Sequence, residues 1–416
     1  MRSRVRENLP AALGASLGLL IVGWLSLTNW AWTDYDTETR PAFDALLHGH
    51  LLGFLQLAPA YGGSLIMRAP FVLATKLWHG GELSTFRAAA APCLVASAVL
   101  GVWLVARMRG LGQSRQARAI ALFLCVANPV VLPTLESGHP EELLGATLCL
   151  GAVLLAMGRR PLWSGVLLGL AIANKEWALL AVGPVLIALP ERRLQAMLSA
   201  AAVATAVLAP LALAGGLVSQ VHVAATQANV IFNPWQVWWF FGTHAHVIRD
   251  SSGHVIPGHL WANRVSPSWV GSLSHPLIIL AAVPLSWLCA WLRRKGSCRP
   301  GGEPLLLLAL LLLMRCVFDP WDVVYYSLPF LLALLVWEAL ACRRPPALAL
   351  AGSFLAWFLF EWVTPAHGFT PDGQSLLFLA CALPALATLA IALYAPGSSE
   401  RLRVAFARRR VMPAPG

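Results

Sequence analysis

The sequence has too little charge to cover a soluble globule. Only 12% of its 416 residues are charged against 58% hydrophobic, and the mean hydropathy is +0.68, which excludes an ordinary water-soluble domain. Acids are the scarcer sign: 19 Asp and Glu stand against 30 Lys and Arg, a net charge of +11. Such an excess can signal nucleic acid. Here the bases form short clusters between apolar runs, the positive-inside pattern of membrane proteins, so the expected partner is lipid and not nucleic acid. The eight cysteines contain no CxxC pair and the long loops hold none, so neither disulfides nor structural zinc are expected. No internal repeat of the inverted-transporter kind is visible. No small-residue cleavage site follows the first apolar run; Trp30, Trp32 and an acidic cluster do. That run reads as a retained helix.

What the sequence does have is apolar runs near the ~20 residues that cross a bilayer. Between successive basic clusters the chain must cross and return, so each interval needs an even number of spans. The expected spans are 9–30, 86–106, 119–135, 141–157, 161–173, 177–189, 194–217, 272–292, 303–318, 323–341, 346–363 and 375–395. The fold class is therefore an all-α polytopic membrane protein of about 12 transmembrane helices. It forms one integral domain over 1–416, in the plasma membrane with both termini cytoplasmic. The first outer loop, 31–85, is expected to carry interfacial helices. Residues 40–57 read as one amphipathic helix with Phe43, Leu46, Leu47, His50 and Leu51 on one side. Residues 64–78 read as a second interfacial or re-entrant helix, broken by Arg68, Pro70 and Lys76. The second long outer loop, 218–271, opens with Trp235, Trp238, Trp239, Phe240 and Phe241 and holds a turn at Asp250-Ser251-Ser252-Gly253. A basic cytoplasmic tail covers 396–416.

The pair 161–173 and 177–189 is short. Each arm reaches about 20 Å at ~1.5 Å per residue, less than the ~30 Å core. Its tip, Asn174-Lys175-Glu176, is expected inside the outer half of the membrane. A charge at that depth costs about 2.5–3.5 kcal/mol on insertion scales and defaults to a functional hypothesis. Lys175 would face either a ligand phosphate or a carboxylate from another helix.

The densest acidic cluster is Trp32-Thr33-Asp34-Tyr35-Asp36-Thr37-Glu38. At headgroup depth, Asp34 or Asp36 could take a proton from a hydroxyl attacking a membrane-anchored donor. Such a cluster also occurs simply because loops leaving helices are polar, and Asp34-x-Asp36 has the look of a divalent-cation pair. Glu136-Ser137-Gly138-His139-Pro140-Glu141-Glu142 reads equally as a substrate pocket and as an acidic helix start favoured by the dipole. Arg315 and Asp319 are four apart and could pair on one helix face; a phosphate-binding role for Arg315 is the alternative. In the second loop, His244, His246, His254 and His259 lack further ligands at zinc spacing. Arg264 is placed to clamp a phosphate.

In their order these features resemble the GT-C superfamily of polyprenyl-phosphate-sugar-dependent glycosyltransferases, and most closely its bacterial mannopyranosyltransferase-like branch. The matching residues are Asp34 after the first helix, Tyr61-Gly62-Gly63, Gly138-His139-Pro140-Glu141, Gly169-Leu170-Ala171 through Lys175, and Pro320-Trp321 through Tyr325. Family members often carry a histidine in the last segment, where this chain has Tyr325-Tyr326. The resemblance implies transfer of a sugar from a polyprenyl-phosphate donor to a glycan or glycolipid acceptor on the outer side, with inversion. Asp34 or Asp36 would be the base. Lys175, Arg264 and Arg315, with Glu38, His139, Glu141 and Tyr325, would bind substrate and lipid phosphate. No cofactor is implied, apart from the cation that Asp34 and Asp36 could hold. A transporter or lipid flippase is the alternative, and it would place its charges at the midplane on broken, symmetry-related helices.

Overall fold

A run of leucines from Leu305 to Leu313, broken only by Ala309, offers water no polar face. It forms the helix Glu303–Phe318, and nearly every residue of that helix is buried, as expected of one apolar all round. Two other interior elements flank it: the helix Glu141–Met157 and the stretch Val324–Cys342, whose apolar window is 78% buried. Around them run Arg193–Leu213, Ser268–Arg294 and Pro371–Tyr394, whose windows are only 17–22% buried. Their outer faces remain apolar, with Leu198, Leu213, Trp287 and Leu376 all exposed. Inner helices bury apolar faces against protein, and outer ones present them to lipid. The computed structural model describes residues 2–25, 33–215, 232–245, 263–295 and 301–395.

Among the described residues, six helices are long and apolar enough to cross a membrane: Glu82–Gly110, Arg115–Glu136, Arg193–Leu213, Ser268–Arg294, Val324–Cys342 and Pro371–Tyr394. The other expected spans also fall on helices, but shorter ones: Pro161–Asn174, Glu176–Ala188 and Ala347–Trp362 among them. The helical membrane architecture stands, whereas twelve full crossings do not follow from helix length. One small ladder interrupts the all-α pattern, pairing Thr243–Ala245 with Asn263–Val265 in antiparallel register. Trp30, Trp32, the turn at 250–253, His246, His254, His259 and the tail 396–416 lie outside the described residues.

The segment after the first helix corrects one expectation. Residues 40–57 form two helices, Arg40–Leu47 and Leu51–Leu57, because Gly49 takes a left-handed φ of +82°. His50 N–H then reaches back to the Ala45 carbonyl and Gly49 N–H to that of Leu46, a helix-ending motif that favours glycine. The helical phase is lost there. His50 and Leu51 are exposed, and Phe54 instead stacks on Phe43 at 6.3 Å. The next helix, Gly62–Ala74, presses its N-terminus on the Lys175 hairpin: a Cβ on Gly63 would stand 2.1 Å from the Ala173 carbonyl oxygen. Gly165 and Gly169 give the hairpin's first arm the same close fit against Ala196 and Ala200, a small-residue packing common between membrane helices.

Candidate active site

The helix Glu141–Met157 begins with two adjacent glutamates, and both are fully buried. Acids at a helix start are favoured by its dipole, but complete burial requires cationic partners. Three segments supply them. At the hairpin tip the chain turns extended at Lys175 (φ −161°, ψ 139°), ending the arm Pro161–Asn174. Its Nζ lies 3.2 Å from Glu141 Oε1 and 2.9 Å from Glu142 Oε1. Arg315, from the leucine-rich helix, donates from Nη1 and Nη2 to the two Glu142 oxygens at 3.3 Å each. Arg68, from the helix Gly62–Ala74, brings Nη2 to 3.7 Å of Glu141 Oε2. Adjacent helical positions diverge, so each glutamate meets its own arginine and Lys175 bridges the two.

The network reaches solvent through His139. Gly138 just before it has φ +90°, and a Cβ there would lie 2.5 Å from the Tyr35 backbone nitrogen. Only glycine lets the 33–39 segment approach so closely. His139 Nδ1 is 2.7 Å from Glu141 Oε1, and its Nε2 is 3.1 Å from Asp34 Oδ2. Burial alone would lower the basicity of this ring, but the facing carboxylates of Glu141 and Asp34 raise its pKa to about 9. Both nitrogens then donate, as only the imidazolium can. The Asp34 side chain is 53% exposed, which makes it the outlet of an otherwise buried chain of charges. Within this chain the cations Arg68, His139, Lys175 and Arg315 face the carboxylates Asp34, Glu141 and Glu142.

Aromatic rings wall the site. The Tyr325 ring lies 4.1 Å from that of His139, so a histidine does stand beside this late segment, supplied by a different turn. Lys175 Nζ is 4.7 Å from the Tyr61 ring centroid and 5.6 Å from that of Tyr325. The Tyr61 hydroxyl donates to Glu38 Oε2 at 2.5 Å, which ties Glu38 to the same wall.

Asp36 stands apart from Asp34. Its buried carboxylate accepts from Arg40 Nη1 at 3.2 Å and from Thr33 N–H at 3.1 Å, and Arg40 also pairs with Glu82 at 2.5 Å. Among the described residues no group of three or more His, Cys, Asp or Glu gathers to hold a metal. Arg264 joins Asp372 through two 2.9 Å bonds and donates to the Gly242 carbonyl, while Trp239 Nε1 donates to the same aspartate. The structure thus brings Asp34, His139, Glu141, Lys175, Arg315, Tyr325 and Glu38 together, and gives Arg264 a separate partner.

The Arg315–Asp319 pair that the spacing allowed is not formed. Asp319 precedes Pro320, a position that disfavours the helical conformation. The helix ends at Phe318, and Asp319 turns extended at ψ 120°. Its Oδ1 accepts from His275 Nε2 at 3.1 Å, leaving Arg315 to Glu142. Sequence reasoning left Arg68, His275 and Asp372 out of the site. Arg68 and His275 carried a usable signal, since each interrupts an apolar helix.

Fold and site together define a helical membrane protein with an ionic core that opens at a single carboxylate. Residues 58–191 match the family described as alpha-(1->6)-mannopyranosyltransferase, N-terminal domain, the MptA/B family. The stretch includes Tyr61, Arg68, His139, Glu141, Glu142 and Lys175, so the resemblance read from the sequence is borne out there, and the match supports a glycosyltransferase. No curated protein and no solved structure matches the chain.

Proposed function

We propose that the protein transfers a sugar from a polyprenyl-phosphate donor to a hydroxyl of a glycan or glycolipid acceptor, on the outer side of the membrane and with inversion. The observation that carries this reading is Asp34, half-exposed and held by His139 at the end of a buried charge chain. The acceptor hydroxyl gives its proton to the free oxygen of Asp34. Its oxygen then forms the new bond at the sugar's C1 as the C1–O bond to phosphate breaks, and the electron pair leaves on polyprenyl phosphate. The positive charges of Arg68, His139, Lys175 and Arg315 favour that departing charge. His139, packed on Tyr325, takes the place of the histidine that this late segment lacks. The family description makes a mannosyl unit the first sugar to test.

Purified protein in vesicles, given polyprenyl-phosphate mannose and a panel of acceptors, should release polyprenyl phosphate. Asp34→Asn should lower the rate by about 10²–10⁴-fold, the usual scale for losing a general base. Full turnover by Asp34→Asn removes it as the base. If no donor lipid is consumed and the vesicles instead show lipid or sugar translocation, transport replaces transfer.

A further inference from the structure

Lys175 and Glu176 stand side by side at the hairpin tip and meet different surroundings. Lys175 is buried against Glu141 and Glu142, whereas Glu176 is exposed. Among the described residues the Glu176 carboxylate makes no hydrogen bond or ion pair. The arm Pro161–Asn174 is 14 residues long, so the tip reaches about 20 Å into a core of about 30 Å and stops about 10 Å short of the far surface. A carboxylate cannot face hydrocarbon at that depth. Glu176 therefore opens on a water-filled pit within the protein.

His275 reaches the same depth by an independent route. It lies seven residues in from Ser268, about 10 Å along the helix Ser268–Arg294, against which the segment Glu176–Ala181 packs. Its side chain is 38% exposed, and Nε2 is 3.1 Å from Asp319 Oδ1. The charges of Asp319 and Glu176 both act on this ring. With Nε2–H given to Asp319, the neutral ring keeps Nδ1 as an acceptor. Trp321, half-buried, meets the His275 ring edge to face at 5.1 Å, and its Nε1 donates to nothing among the described residues.

Charge decides what such a pit holds. Glu176 and Asp319 repel an anion, which excludes a lipid phosphate. A cation passing inwards would meet Arg315, whose charge also acts on His275. What remains is a neutral, hydroxyl-rich group. A carboxylate and an imidazole that accept from hydroxyls, beside an indole whose face takes C–H groups, match a sugar. The segment from Trp321 to Tyr325 links the pit to the open carboxylate. Trp321 stands against His275, and Tyr325 lies 4.1 Å from His139, which holds Asp34. Four residues apart, the two α-carbons are separated by at most about 14 Å, a reach that a short oligosaccharide covers.

We propose that the pit lined by Glu176, His275, Asp319 and Trp321 seats an inner sugar of a neutral glycan acceptor, set back from the hydroxyl that reaches Asp34. The acceptor role rests on the function proposed above; the seat for a neutral sugar does not.

The test uses the full-length protein in detergent with mannose and a linear manno-oligosaccharide as probes and no donor present. Saturation-transfer NMR should show the oligosaccharide bound. Glu176→Gln and Trp321→Ala should each weaken its binding about tenfold, the scale of one lost charge-assisted hydrogen bond or ring contact; melting curves confirm that each variant is folded. An oxidised oligosaccharide that carries carboxylates should bind the wild type more weakly than the neutral one, and Glu176→Gln should narrow that difference. In turnover the same two variants should raise KM for the oligosaccharide about tenfold with little change in kcat, and leave KM for mannose unchanged. An oligosaccharide that does not bind the wild type, or that binds both variants as well as the wild type, overturns the proposal. Binding lost in both variants without transfer from any donor keeps the seat and removes the transferase reading. Transfer to the oligosaccharide with a KM that neither variant moves does the reverse.

Discussion

Lys175, at the tip of a hairpin too short to cross the bilayer, places its Nζ 2.9 Å from Oε1 of Glu142 at the start of another helix. The side chain is 8% exposed and its partner fully buried. The cost of sinking an ammonium into the membrane is offset by a second buried charge.

Its removal should therefore appear first as lost stability. Lys175→Met leaves Glu141 and Glu142 with one cation fewer, and breaking a buried pair from one side typically costs about 3–5 kcal/mol. A second change, Glu142→Gln, should recover part of that loss. Thermal unfolding of the single and double variants in one detergent checks it. A Lys175→Met protein as stable as wild type would mean that the lysine's role is ligand binding alone.

Asp34 and Asp36 lie two residues apart yet should respond to very different extents. Asp36→Asn keeps an acceptor for Thr33 N–H but loses the Arg40 ion pair. Because the Arg40 side chain is one-third exposed, about 1 kcal/mol of stability is at stake. Turnover should fall less than tenfold, against the loss of about 10²–10⁴-fold for Asp34→Asn. With both Asp36 oxygens already engaged, stripping divalent cations with a chelator should leave turnover unchanged. Steep metal dependence would return the pair to metal binding.

These contrasts show what the chain discloses in one dimension. The buried position of Lys175 was legible from arm length alone, since short arms cannot bring a tip to the surface. The break at Gly49 was printed in His48-Gly49-His50, yet the apolar spacing through Leu51 argued for continuity. Spacing also misled at Arg315 and Asp319: the i,i+4 rule needs both residues on the helix, and Pro320 removes the second. The pairings of Asp34 with His139, Arg68 with Glu141 and Glu142 with Arg315 leave no trace in spacing. Each depends on how distant helices pack, and nothing local distinguishes a glutamate that will meet a lysine from one that will face water.

Arg264 offers a test of the small strand ladder. Its two-bond contact with Asp372 ties the strand Asn263–Val265 to the start of the helix Pro371–Tyr394. Paired bonds of this kind are the stronger charge-assisted sort. With Asp372 one-third exposed, a double-mutant cycle of Arg264→Ala and Asp372→Ala should give a coupling of about 1 kcal/mol. Arg264→Lys should lose most of it, since an ammonium lacks the planar fork. Coupling near zero with a large rise in donor KM would point instead to phosphate binding.

The pH dependence follows from His139. Its pKa is raised to about 9, because the facing carboxylates outweigh the effect of burial, while an unfolded histidine titrates near ~6.5. The folded state therefore holds this proton more tightly than the unfolded chain does. The stability gained is complete below about pH 6.5, erodes as the pH climbs and is gone above about pH 9. Glu141 and Asp34 then face a neutral ring that can donate to only one of them. His139→Gln should remove this contribution at every pH, so the informative quantity is the difference in melting temperature between wild type and variant from about pH 6 to about pH 10. That gap should be widest at the acidic end and close near pH 9, with the activity of the wild type falling over the same alkaline limb as Asp34 loses its charged partner. A gap that stays constant, or widens with rising pH, would mean that His139 is neutral in the folded protein and that Asp34 is not held by an imidazolium.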